Sequence, residues 1–264
     1  MSEEIEESNG NGRHRGIYLL PNLCTTGSLF AGFYAIIAGM NQDFIAAAIA
    51  IFIALIFDGL DGRVARLINA QSAFGAQYDS LADMLSFGIA PALVAYNWIN
   101  LYLAPYGWSK LAWLSTFVFA ACVAMRLARF NVQHEKPDNE VKKGKPYFFR
   151  GLPCPAAAAL ITSSIWVCDL HGYIGLGFSI VEVVIILLAS YLMVSNIPFR
   201  GFKEFDLKKN VRFTYIVLTM LILVGIWWRP AEVLFGLFTL FTFSGIVFGI
   251  MRIIQKRSKR ATNE

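Results

Sequence analysis

Eight runs of mostly apolar residues, each close to the ~20 that a membrane-crossing helix needs, govern what this 264-residue chain can become. They cover residues 22–40, 44–67, 74–98, 111–130, 152–170, 175–197, 211–228 and 231–254. The expected fold is an all-α integral membrane protein, a bundle of about eight transmembrane helices. With 56% apolar and only 16% charged residues, the chain is neither a water-soluble globule nor an intrinsically disordered segment, which needs low hydrophobicity and high net charge. Cys24, Cys122, Cys154 and Cys168 are widely spaced with no Cys-x-x-Cys pair. They suggest neither a disulfide framework nor a zinc site and are read as small packing residues.

The first run does not look like a secretory signal, because the 15 residues before it are polar, carry four Glu and lead to no recognisable cleavage site. Residues 1–15 are expected to be a disordered tail, 16–254 a polytopic membrane domain and 255–264 a basic C-terminal tail. Alternating eight spans from a cytoplasmic N-terminus leaves only Lys110 and Arg229, of 23 Lys and Arg, on the far side. Cytoplasmic loops are enriched in these residues, so both termini are expected in the cytoplasm and the chain in the cell (inner) membrane. The net charge of +5 is then topological. It does not point to nucleic acid, since the basic residues sit at helix ends without interleaved stacking aromatics.

Ionisable side chains inside a membrane are costly and by default functional, and four carboxylates fall within 26 residues: Asp58, Asp61, Asp79 and Asp83. The first pair is spaced i, i+3 and the second i, i+4, so each shares one helix face and a short hairpin can turn the two faces together. Residues 44–57 cover about 21 Å of a ~30 Å core before Asp58, and the next run returns from the same side. All four carboxylates therefore lie in the cytoplasmic third. They cannot all stay ionised in low dielectric without compensation. Oxygen ligands with no nearby His or Cys point to Mg²⁺, Mn²⁺ or Ca²⁺, and two such dications would balance four charges and clamp a phosphorylated substrate. Two other readings stand beside this one: a static network with Arg63, Arg66 and Arg126, and a cation pathway of a transporter, whose carboxylates usually sit nearer the midplane. Glu182, near the outer end of the sixth run, is read as interfacial or bound to a neighbouring helix.

Written as Asp58-x2-Asp61-Gly62-x2-Ala65-Arg66-x8-Gly75-x3-Asp79-x3-Asp83, this segment resembles the signature of the CDP-alcohol phosphotransferases, membrane enzymes of phospholipid synthesis. The resemblance implies that a cytidine diphosphate sits on two metal ions and that an alcohol displaces CMP. It implies that Asp58, Asp61, Asp79 and Asp83 hold the metals, with Asp83 also the base. Gly62 and Ala65 would allow close approach of the nucleotide, Arg66 would neutralise diphosphate oxygens, and Ser72 and Gly75 would line the nucleotide pocket. Asn22 and Thr25 resemble the family's polar nucleotide contacts; helix capping is the other reading of both.

The flanking segments 86–92, 126–131 and 149–155 are similar to the phosphatidylserine-forming branch of the family. This implies CDP-diacylglycerol as lipid donor, L-serine as acceptor and a homodimer. A glycerol phosphate or inositol phosphate acceptor is the nearest rival. Serine carries a carboxylate, so its pocket needs a cation, for which Arg126, Arg129 and Arg150 lie at suitable depth; snorkelling to lipid phosphate is the alternative for each. With no His or Cys expected near the aspartate hairpin to carry a phosphoryl group, direct in-line attack by the serine hydroxyl is expected. The donor's acyl chains would leave sideways between helices into the bilayer.

Overall fold

Helices in lipid gain nothing from hiding apolar side chains from one another, so small residues that let backbones approach decide where they pack. This chain supplies them: Ala35, Ala47, Ala54, Ala90, Ala95, Ala112 and the run Ala157–Ala159 are all fully buried, whereas Phe30 and Trp227 are 72% and 91% exposed. The computed structural model describes residues 19–67, 72–134, 148–195, 197–200 and 213–261. The expected N-terminal tail lies outside the described residues, as does the link at 68–71 between the two aspartate-bearing helices.

The helices are α1 (Leu19–Met40), α2 (Phe44–Leu67), α3 (Ala73–Asp83), α4 (Ala90–Leu103), α5 (Ser109–His134), α6 (Cys154–His171), α7 (Leu176–Val194), α8 (Phe213–Trp228) and α9 (Pro230–Ala261). A π-helical turn, Met84–Ile89, joins α3 to α4, and a 3₁₀ turn, Ala104–Tyr106, follows. The third apolar run is therefore one long span, Phe74–Tyr106, with a widened turn inside it rather than the uniform helix ending at residue 98 that hydropathy suggested. Among the described residues, six spans are long and apolar enough by themselves to cross a bilayer; α6 and α8 stand where the other two of the expected eight fall.

α6 falls short on composition because it faces protein rather than lipid. It packs on α2, α4, α7 and α9, and nearly every side chain from Cys154 to Trp166 is buried. Its Ser163 and Ser164 donate to their own helix carbonyls, and Ser164 Oγ also lies 3.0 Å from Glu182 Oε1 on α7. Glu182, 2% exposed, is thus bound to a neighbouring helix rather than interfacial. α8 packs chiefly on α9 and leaves most of its surface to the lipid. α9 continues to Ala261, through much of the segment expected to be a separate tail.

Apolar patterning did not signal a small antiparallel pair, β1 (Phe148–Arg150) with β2 (Pro198–Arg200). It staples the approach to α6 against the exit from α7, and Gly151 N–H and Leu152 N–H extend the staple to Ile197 O and Leu192 O at 2.8 and 3.0 Å.

Contacts of α1 with α2 and with the π turn set the depth of the aspartates. Ser86 Oγ, fully buried in that turn, donates to Ser28 O at 3.0 Å. Gly32 lies so close that an added Cβ would stand 2.7 Å from Ser86 Oγ and 2.8 Å from its Cα. Replacing Gly32 by Ala should cost about 1–3 kcal/mol through overpacking. Thermal unfolding in detergent should show a lowered midpoint for this variant and none for Gly236→Ala, where an added Cβ would meet nothing within 4 Å. Equal midpoints for both would contradict the close α1–π turn contact.

Candidate active site

The four aspartates converge as the hairpin spacing requires. α2 and α3 run antiparallel, and moving three residues along α2 from Asp58 to Asp61 matches moving four back along α3 from Asp83 to Asp79. Asp58 and Asp83 lie within hydrogen-bond reach of each other, and so do Asp61 and Asp79. Carboxylate oxygens of Asp58, Asp61 and Asp79 all stand within 4.8 Å of one another. Asp61 is 6% exposed, and the other three are partly buried.

A divalent cation fits this donor set. Hard cations take oxygen ligands at about 2.0–2.6 Å, so ligands on opposite sides of one ion are no more than about 5 Å apart. The three carboxylates already meet that limit, and Asp83 reaches the group through Asp58.

α1 closes one side. Thr25 is buried, with its hydroxyl 2.9 Å from Asp61 Oδ2 and 3.1 Å from Pro21 O. Since α1 begins at Leu19, Asn22 and Thr25 lie within the helix and are not its N-cap. This removes the capping alternative for both. Ser72, in contrast, is a cap: its Oγ accepts from Gly75 N–H at 2.9 Å at the start of α3. Its hydroxyl proton remains available to a ligand. An added Cβ on Gly75 would stand 3.0 Å from Ser72 Oγ and 3.4 Å from Asn22 Oδ1. Asn22, Ser72 and Gly75 thus form one corner beside the carboxylates, and only glycine leaves it open. Gly62 is exposed one residue beyond Asp61. Ala65 and Arg66 lie in the last turn of α2, and their side chains fall outside the described residues.

α5 and α6 close the other side. Arg126 donates from Nη1 to Met193 O at 3.2 Å and also contacts the thiol of Cys154. Cys154, expected only to fill space, is 3% exposed and lies near enough to both Arg126 and Asp83 to interact electrostatically with each. Gly151 makes this arrangement possible: its φ is +84°, and a Cβ there would run into Met193 O and stand 3.0 Å from Arg126 Nη1. Arg129, one turn on from Arg126, is half-buried and close enough to it to interact electrostatically. Arg150 lies in β1 with its backbone opposite Pro198, and its side chain is outside the described residues.

Two polar links escaped the sequence reading. Asn131 Nδ2 donates to Ser80 Oγ at 3.1 Å, tying the end of α5 to the residue after Asp79. Thr26 Oγ1 lies 2.9 Å from Tyr78 OH, tying α1 to α3. Their sequence signals were polarity next to the motif and, for Asn131, its place in the segment 126–131.

Residues 18–195 match the family described as CDP-alcohol phosphatidyltransferase. The chain is 36% identical to the CDP-diacylglycerol–serine O-phosphatidyltransferase of Helicobacter pylori (strain ATCC 700392 / 26695) over 248 residues, 93% of this chain and 98% of that one. The protein of the same name from Methanocaldococcus jannaschii is 34% identical over 191 residues, covering 72% and 80% of the two chains. That of Saccharomyces cerevisiae is 33% identical over 188 residues, 66% and 56% of the two. With its paired aspartates converging across an antiparallel hairpin and the family match covering the whole of that hairpin, the chain belongs to the CDP-alcohol phosphatidyltransferase family.

Proposed function

We propose that this membrane protein transfers the phosphatidyl group of CDP-diacylglycerol to L-serine, releasing phosphatidylserine and CMP. The observation that carries this reading is the four-aspartate cluster within a chain whose match to a serine-using relative runs over 93% of its length. The basic residues at the aspartate end support a site facing the cytoplasm across the cell membrane. The family resemblance supports a homodimer.

Asp58, Asp61, Asp79 and Asp83 are the residues that would hold two divalent cations, Mg²⁺ or Mn²⁺ with Ca²⁺ as a third candidate. Such ions would supply charge neutralisation for the diphosphate and for departing CMP. Thr25 fixes the Asp61 carboxylate that does this work. Asn22, Ser72 and Gly75 form the corner for the cytidine, with Gly62, Ala65 and Arg66 completing the diphosphate side. On the other face, Arg126 is held by Met193 O and by the thiol of Cys154, which itself lies within electrostatic reach of Asp83. Arg126, with Arg129 and Arg150, would hold the serine carboxylate and place its hydroxyl next to Asp83. Asp83 would take the hydroxyl proton as oxygen attacks the diacylglycerol-bearing phosphorus in line with the CMP oxygen.

CMP release by purified protein with CDP-diacylglycerol and Mn²⁺ should be fast with serine and slow with ethanolamine, which lacks the carboxylate. Replacing Arg126 by Gln should raise the KM for serine about 10- to 150-fold, the equivalent of a charge-assisted hydrogen bond of about 1.5–3 kcal/mol. The KM for CDP-diacylglycerol should stay nearly unchanged. A preference for glycerol 3-phosphate over serine would overturn the acceptor assignment.

Thr25→Val keeps the side-chain shape and removes the hydroxyl that meets Asp61. Loss of such an outer partner typically weakens metal affinity by about 10- to 100-fold. The Mn²⁺ concentration for half-maximal activity should rise by that factor, with activity recovered at high Mn²⁺. An unchanged Mn²⁺ dependence would show that Asp61 does not depend on Thr25.

A further inference from the structure

The family match ends at residue 195, and the chain runs on through Ile197, β2, α8 and α9. α9 is fixed at its outer end. Glu232 Oε1 lies 3.0 Å from Arg229 Nη1 and 3.4 Å from His171 Nε2 of α6. Ala231, fully buried, packs with Ala48 and Trp166. Farther along, Phe238, Phe241 and Ile246 pack against the main core. Gly249 lies 19 residues beyond Pro230, about 28 Å at 1.5 Å per residue, so α9 crosses most of a ~30 Å core before reaching it. There the helix meets the chain leaving α7: an added Cβ on Gly249 would stand 2.5 Å from Ile197 Cγ2 and 3.5 Å from its Cβ.

Ile197 branches at Cβ and is stiff at χ1, so bulk at position 249 is passed on to its backbone. That backbone belongs to the acceptor side of the site. Ile197 O accepts from Gly151 N–H at 2.8 Å, and an added Cβ on Gly151 would run into Met193 O and stand 3.0 Å from Arg126 Nη1. Arg126 Nη1 in turn donates to Met193 O at 3.2 Å. Contacts thus run unbroken from α9 through Ile197 and Gly151 to the arginine assigned to the serine carboxylate.

We propose that Gly249 is a positioning residue for acceptor binding: by letting α9 seat against Ile197, it sets how Gly151 lies against Arg126. This rests on the reading of Arg126 as the contact for the serine carboxylate. Tilting α9 does not relieve bulk at 249, because the helix is held at its outer end and along its core face; the three-residue strand β2 and Gly151 move instead. The aspartates and the corner of Asn22, Ser72 and Gly75 make none of these contacts, so binding of the lipid donor is spared.

Full-length protein in nanodiscs is assayed for CMP release with serine and CDP-diacylglycerol varied in turn. A displacement of about 1 Å can cost on the order of 10²-fold, and Gly249→Ala is expected to raise the KM for serine about tenfold. The KM for CDP-diacylglycerol should stay within about twofold of wild type. Adding Ile197→Ala puts the new methyl where Cγ2 was and should return the serine KM to within about threefold of wild type. Gly236→Ala, on the same helix where an added Cβ meets nothing within 4 Å, should leave both constants unchanged. If Gly249→Ala does not fold, Ile197→Ala alone carries the test: withdrawing the brace should raise the serine KM by about threefold or more, with the donor KM unchanged. A lowered thermal midpoint with an unchanged serine KM, an equal rise in both constants, or a serine KM that Ile197→Ala fails to restore would overturn the proposal. Failure of the wild type to release CMP with serine would instead count against the proposed function.

Discussion

Repulsion among four carboxylates drawn from two helices is the constraint around which the rest of this structure is arranged. Two unit charges 4.8 Å apart repel by about 3.5 kcal/mol at an effective dielectric constant of about 20. Three such pairs approach the whole 5–15 kcal/mol by which an ordinary domain is stable. Carboxylates this close stay ionised together only with compensation, which a divalent cation in this donor set could supply, and the surrounding elements hold the cluster in place. Thr25 contributes a hydroxyl to Asp61, and the π turn after Asp83 is pinned to α1 through Ser86 and Ser28. Single widened turns of this type recur at functional sites because they re-aim side chains that a regular helix would place elsewhere. Here the turn begins at the residue after Asp83.

Close helix approach is what makes those devices reach. Gly32 lets α1 lie against Ser86, and Gly151, in a left-handed conformation, lets the chain pass over Arg126 and the Met193 carbonyl. In lipid such contacts rest on van der Waals packing and interhelical hydrogen bonds, without help from water. A membrane enzyme that must hold charges apart and helices together therefore concentrates small residues near the site and leaves large ones facing the acyl chains. The same division of labour produces a groove between α1 and α2, where small residues recede and large ones stand out.

Much of this was legible in the sequence. Apolar runs gave the eight spans, and the i, i+3 and i, i+4 spacings placed the four aspartates on facing sides of a hairpin. What stayed hidden depended on contacts between segments distant in the chain. The six residues Met84–Ile89 form a π turn that no periodicity marks, since a single widened turn leaves the apolar pattern intact. Cys154 looks like packing until the fold brings it near both Arg126 and Asp83, 28 residues from the one and 71 from the other in sequence. α6 is weakly apolar because it is surrounded by protein, so hydropathy understates it. The β1–β2 staple is too short for an alternating pattern to register.

The most direct test of the central claim, that the aspartates of α2 and α3 form one cation site, is a Mn²⁺ titration of the purified full-length protein followed by electron paramagnetic resonance. The account predicts two Mn²⁺ bound per chain, close enough for their spins to couple, with both signals weakened or lost in Asp61→Asn. Stoichiometric binding that Asp61→Asn leaves untouched, or no binding above that of empty detergent micelles, would contradict it.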